Sequence, residues 1–368
     1  MKRSLIIAAA AVVAPALMLT VEMVEMMSGH VAGWAYRDYF TQEQKAQLSK
    51  IKTVAVDAVA LTDKGPADAA PFKEILQRRM SELGYHVVKD TAQPHDVLVR
   101  AKCEQRKTWE GTTASGGDYD LPDAPSRIWK GPACQLTYVL GGMKIQWQKE
   151  VRTPFQDAVE AAKTANAGDP GDYAMAALRE LLNQYEFPVL LAAEWGHDDR
   201  LLKILDTTGT NQRKLLVISL LGEMLSDEAL PKLKEALKDK DLSKEAAVAL
   251  GNIGRDGIPV LVEILKTSTQ PELQAAAAKG LGQVGGLHGD PSVVPPLLEM
   301  LDAPGIDITV QTEIAWALGK MPDKRSIEPL YALDRKLQAI RTNDPKFKRL
   351  KEAVFWAIKQ CDTWDQYS

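Results

Sequence analysis

Two hydrophobic patterns divide the chain. In the first, short apolar stretches alternate with polar positions at a period of two. Ile51–Val56, His86–Val88 and Asp96–Val99 read as strands, and Gln135–Leu140 with Met143–Val151 read as a hairpin around Gly141-Gly142. A helical period intervenes over about 68–83, with Phe72, Ile75, Leu76 and Met80 on one face and Gly84 as its stop. Residues 34–50, with Trp34, Tyr36, Tyr39 and Phe40, show no clear period. A Gly-, Pro- and Asp-rich composition predicts a long loop from Gln105 to Gly131. Residues 164–171, rich in Ala, Gly and Asp, predict a linker, followed by a connecting helix over 172–185. The expected organisation is a small α/β domain over 34–163, a linker and connecting helix over 164–196, and a second domain over 197–368.

In the second pattern strands vanish and short amphipathic helices alternate with turns. One block recurs at Val217–Gly222, Ala246–Gly251, Ala277–Gly282, Ile314–Gly319 and Val354–Lys359. The first four copies are each followed by a segment whose proline (Pro231, Pro259, Pro295, Pro329) is expected to open a helix, where its missing N–H is tolerated. Spacings between successive blocks of 29, 31, 37 and 40 residues grow through loop insertions. Such two-helix units cannot bury their apolar faces alone and stack into a solenoid. Small residues at Ala249, Gly280, Ala317 and Ala357 allow close helix approach, and Leu221, Leu250, Leu281, Leu318 and Ile358 form the seam.

These motifs resemble the HEAT family over roughly residues 197–361, in particular the short bacterial repeats of phycocyanobilin lyases. The first half is similar, through "KTVAV", "LGYHVV" and "DVLV", to envelope α/β domains such as the N-terminal domain of the translocation protein TolB. The fold class that follows is α+β: a small N-terminal α/β domain, then an all-α HEAT-like solenoid.

The N-terminus adds an address. Lys2 and Arg3 precede an apolar run of 15 residues, Leu5–Leu19, of signal-sequence length, with Ala14-Pro15-Ala16 as a cleavage candidate. Residues 1–33 are expected to be a signal peptide or an uncleaved anchor, and the protein to be exported to the periplasm. Lys and Arg number 45 against 49 Asp and Glu, a net charge of −4. That balance lacks the cationic excess of a nucleic-acid binder.

Reading the repeats in register places Lys279, Gln283, Glu313, Trp316, Lys320 and Trp356 on the helix face opposite the seam. In solenoids the inner surface binds partners, and tryptophan is enriched at binding hot spots. The alternative for the two tryptophans is packing on an adjacent loop, with Trp364 as the candidate, or on the terminal helix. The Gln105–Gly131 loop, with Trp109, Arg127 and Trp129, is a second candidate surface. Cys103 and Cys134 flank it. In an oxidising compartment they are expected to pair, the alternative being two buried thiols. Cys361 reads as a small buried hydrophobe.

Catalytic chemistry has little footing in the sequence. Deoxyhypusine hydroxylase, a metal-dependent HEAT enzyme, uses paired His-Glu dipeptides, and this chain has none. No nucleophile motif or P-loop is present. Gly116–Asp120 with Asp123 lacks calcium-loop spacing, and His197-Asp198-Asp199 reads as a capped helix start. No metal or cofactor is expected. The expected function is a non-catalytic scaffold or accessory subunit that binds a protein partner in the cell envelope, with a lyase-like maturation factor as the rival.

Overall fold

The computed structural model describes residues 40–112, 126–141, 143–207 and 209–367. The signal or anchor segment, residues 1–33, lies outside the described residues. Among the described residues no helix is long and apolar enough to cross a membrane.

The first half holds α1 (Gln42–Leu48), β1 (Thr53–Thr62), β2 (Gly65–Ala67), α2 (Ala70–Glu82), β3 (His86–Val87), β4 (Val97–Thr112), β5 (Ser126–Leu140) and β6 (Met143–Arg152). Then come α3 (Ala158–Thr164), α4 (Pro170–Gln184) and α5 (Phe187–Trp195). The sheet order is β2-β1-β4-β5-β6, with β3 also pairing β1. β1 runs parallel to β3 and β4, and β4, β5 and β6 form an antiparallel meander. The alternation read from sequence explains the sheet's two faces. Val97, Val99, Ala101 and Cys103 of β4 and Cys134, Leu136 and Tyr138 of β5 are buried. The residues between them carry charge, as in the Arg100–Asp57 and Lys102–Glu104 pairs.

Helices α2 and α4 contribute the rest of this core: Phe72, Leu76 and Met80 from the first, Ala174, Leu178 and Leu182 from the second. The helix expected over 172–185 is α4, and it is part of this core rather than a mere connector. Asp169 caps α4 by accepting from the Gly171 and Asp172 N–H groups, and α4 packs along β4, β5 and β6. α5 is buried nearly all round, through Phe187, Val189, Leu191, Ala192, Ala193 and Trp195. Its unbroken apolar run carries no period from which a buried helix could be told. The unassigned segment before β1 becomes α1, closed by a Thr41–Gln44 capping box with Leu48 buried.

The expected loop from Gln105 to Gly131 is also corrected. β4 continues to Thr112 and β5 begins at Ser126, with Trp109 opposite Trp129 in the ladder. Thr, Trp and Ile favour strands. The loop-like composition belongs to the intervening residues 113–125, which lie outside the described residues. Cys103 stands directly opposite Cys134 in the β4–β5 register, and the two are joined by a disulfide.

The second half continues with α6 (Asp198–Leu205), α7 (Asn211–Glu223), α8 (Leu230–Ala236), α9 (Ser243–Ile253), α10 (Ile258–Thr267), α11 (Pro271–His288), α12 (Val294–Leu301), α13 (Ile308–Lys320), α14 (Lys324–Gln338) and α15 (Pro345–Tyr367). These helices form two rows. α7, α9, α11, α13 and α15 pack tightly side by side, while α8, α10, α12 and α14 touch one another only loosely. The glycines of the repeated block explain the tight row. A Cβ at Gly251 would sit 2.1 Å from the Gly280 carbonyl oxygen, one at Gly222 2.8 Å from Ala249 Cα, and one at Gly282 2.8 Å from Ala317 Cα. The face of this row turned away from α8, α10, α12 and α14 is called the inner face below.

Pro231, Pro259 and Pro295 do stand in the first turns of α8, α10 and α12. Pro329 does not open its helix. α14 starts at Lys324, capped by Asp323 through the Arg325 N–H, and Pro329 lies within it. The stronger Asp cap starts the helix a turn earlier than the proline does.

The two halves share one continuous hydrophobic core. At the joint, Trp195 meets the rings of Tyr85 and Tyr138 edge-on, at centroid distances of 5.3 and 5.7 Å. His197 does not merely precede a helix. Its Nε2 lies 3.1 Å from the Leu48 carbonyl, which can only accept, so Nε2 carries the proton and Nδ1 accepts from the Tyr85 hydroxyl at 2.7 Å. Burial, helped by Arg200, lowers the His197 pKa and keeps the ring neutral. Arg200 stacks over Tyr85 and donates to the Leu83 carbonyl at 2.9 Å. Asp198 accepts from the first-turn N–H of Asp199, as expected for this helix start, and also from the Ser226 hydroxyl.

Candidate functional site

The inner face of the tight row is built by the same register positions of successive helices. α11 supplies Lys279 and Gln283, α13 supplies Glu313, Trp316 and Lys320, and α15 supplies Arg349, Trp356 and Gln360. The structure brings the expected residues into one patch. Trp316 and Trp356 lie against each other with ring centroids 5.1 Å apart and planes tilted by 49°. Both are half-buried. Trp316 thus packs on the terminal helix, α15, through Trp356, as the alternative to partner contact expected. Trp364 lies in the same helix rather than in a loop, and its side chain is outside what is described.

Gly319 makes the packing possible. A Cβ there would fall 2.3 Å from Trp356 Cζ3 and 3.0 Å from Ala357 Cα. The same Ala/Leu-Gly block that stacks the repeats thus also clears the floor under the second indole.

Around the indoles the charges are arranged asymmetrically. Glu313 pairs with Arg349 at 3.6 Å. Lys320 donates to Gln283 Oε1 at 3.2 Å. Burial lowers the Lys320 pKa, Lys279 lowers it further by repulsion, and Glu313 works against both. Lys279 is exposed and makes no ion pair among the described residues.

The other end of the row has a different set of charges. Lys149 of β6 sits within electrostatic reach of Glu194 on α5 and Glu223 on α7. Burial pushes the Glu223 carboxyl up to about 7, and Glu245 on α9 adds to the effect, against Lys149 and a hydrogen bond from Ser219. Lys149 thereby brings the sheet near the start of this row. Sequence reasoning missed Lys149 and Glu194. Both belong to elements whose contact with the repeats no local pattern announces.

Glu223 makes the joint pH-dependent. Its folded pKa lies above the unfolded value near 4.5, so the native state holds the extra proton between about 4.5 and 7. Its contribution to stability therefore falls as pH rises through that window. Glu223→Gln is expected to stabilise the protein by about 1–2 kcal/mol at about pH 8 and by nothing near about pH 4. Urea unfolding at the two pH values checks this. A stabilisation equal at both would remove the carboxylate as its cause.

The second candidate surface is only partly visible. Trp109, Arg127 and Trp129 lie on β4 and β5 as strand residues, and their side chains are outside the described set. Cys361 is buried in α15. No group of three or more His, Cys, Asp or Glu placed to hold a metal occurs among the described residues.

The repeats are also evident in comparison with known proteins. The HEAT-repeat sequence profile matches residues 199–282 and 258–344, so the second half carries HEAT repeats. One similar solved structure is an engineered protein, 23% identical, covering 57% of this chain and 98% of its own, with a TM-score of 0.33. Another is human deoxyhypusine hydroxylase in complex with glycerol, 16% identical, covering 57% of this chain and 92% of its own, with a TM-score of 0.26. No curated protein sequence matches the chain. HEAT repeats form helical scaffolds for protein interaction, and that coarse description applies to this half of the chain.

Proposed function

We propose that the protein is an exported, non-catalytic scaffold or accessory subunit of a bacterial envelope complex, and that it binds a protein partner on the inner face from α11 to α15. The observation that carries this reading is the indole pair. Trp316 and Trp356 leave part of their rings on a face otherwise polar, on the last two helices of the closely packed row. Paired aromatic anchors on a preorganised surface are what interface hot spots require. The Lys279, Gln283, Glu313 and Lys320 side chains surround them and would orient the partner.

Two features support export. The charged and apolar pattern of residues 1–33 has the form of a signal sequence, and a disulfide such as Cys103–Cys134 persists in oxidising compartments. The resemblance of the first half to TolB-like domains points to the same location. The resemblance of the repeats to the phycocyanobilin-lyase subtype has no observation at the inner face that would favour lyase chemistry.

Crosslinking capture from the native envelope tests the reading. Wild type should retain a defined partner, and Trp316→Ala/Trp356→Ala should lose at least about nine-tenths of it while keeping its helical circular dichroism. Equal retention by the folded variant would move the contact elsewhere on the molecule.

A further inference from the structure

The inner face carries a charge arrangement that specifies the chemistry of its occupant. Lys320 on α13 reaches across to α11, where its Nζ lies 3.2 Å from Gln283 Oε1, and the ammonium of Lys279 on that helix disfavours the Lys320 charge. Neither makes an ion pair among the described residues. The nearby carboxylate of Glu313 is engaged by Arg349 from α15. Lys320 is half-buried beside Trp316, and its bonded neighbour is the neutral amide of Gln283. Two like charges beside an apolar ring pair are costly alone and are relieved by an anion. At the opposite end the sign reverses: Glu194 and Glu223 lie within electrostatic reach of one lysine, Lys149, and Glu245 within reach of Glu223. An extended acidic segment is therefore repelled from the α7–α9 end and drawn to the α11–α15 end.

We propose that the inner face takes an acidic peptide segment of the partner, with carboxylates on Lys279 and Lys320 and an adjacent aromatic or aliphatic side chain laid on the Trp316–Trp356 pair. This rests on the partner-binding reading and adds the partner's chemistry to it. Gly286 keeps the approach to Lys320 open. A Cβ there would come 3.4 Å from Lys320 Cβ, and glycine leaves that space free.

The test uses the full chain and a random Glu/Tyr copolymer as probe, with a Lys/Tyr copolymer as its opposite. Binding is read by fluorescence anisotropy of the labelled polymer. Wild type should bind the Glu/Tyr polymer and not the Lys/Tyr polymer. Lys279→Gln/Lys320→Gln should weaken that binding at least about tenfold without shifting the melting temperature. Raising salt from about 50 to about 500 mM should weaken the wild-type complex by a similar factor. Failure of wild type to bind the acidic polymer, or binding by the lysine variant within about twofold of wild type, overturns the proposal. The envelope capture separates the two readings. A partner lost by Trp316→Ala/Trp356→Ala but kept by the lysine variant would leave the surface standing and the acidic chemistry refuted.

Discussion

Gly251→Ala is expected to cost about 3 kcal/mol and lower the melting temperature by roughly 5–10 °C. The added methyl would meet the Gly280 carbonyl oxygen at 2.1 Å and its Cα at 2.4 Å. Both atoms are backbone within a helix, so neither can rotate aside. α9 and α11 must separate, and every contact of the seam between them, Leu250 and Leu281 included, loosens with them. The substitution also removes the entropic handicap of a mid-helix glycine, a gain of up to about 1 kcal/mol, which is already counted in that net figure. Gly286→Ala is the control. It lies in α11, the helix that Gly251 abuts, and its new methyl meets only Lys320, at the ordinary distance of 3.4 Å from Cβ. It should be neutral or slightly stabilising. Thermal melts of both variants check the pair, and equal effects would mean that close approach does not hold the inner row together.

Trp195→Ala should cost about 3–5 kcal/mol, the range for truncating a buried tryptophan. Trp195 is 1% exposed and fills the space between Tyr85, Tyr138 and the His197 ring. Its removal opens a cavity at the place where the sheet and the first repeat helices share their core. Trp195→Phe keeps most of the ring contact and should lose no more than about half as much. Urea unfolding followed by circular dichroism measures both. A Trp195→Ala variant within about 1 kcal/mol of wild type would show that the halves do not depend on this joint.

The contrast between these two positions marks how far the sequence is legible. Gly251 belongs to a block that recurs five times, and repetition turns one ambiguous glycine into a statement about helix approach. The same repetition places Trp316 and Trp356 in one column on sequence grounds alone. Their packing on each other is not legible, because register fixes which helix face a residue occupies and not the angle at which neighbouring helices cross. Trp195 has no such support. It ends the run FPVLLAAEW, apolar on every side, which carries no period. The Ala- and Gly-rich segment 164–171 hides the first turn of α4, while the rest of that helix is legible in its sequence. The Lys149–Glu223 contact joins residues 74 positions apart in unrelated elements, a relation that no local pattern encodes. The Trp109–Trp129 pairing is hidden differently, because the turn-like residues between them dominate the composition of the whole stretch.

The central claim is that the inner face, and not the outer row, meets the partner. A photo-crosslinking amino acid placed at Lys279 on the inner face, or at Glu263 on the exposed side of α10, tests it inside the cell. The account predicts a discrete adduct from position 279 and none from position 263. An adduct from 263 with none from 279 would contradict it.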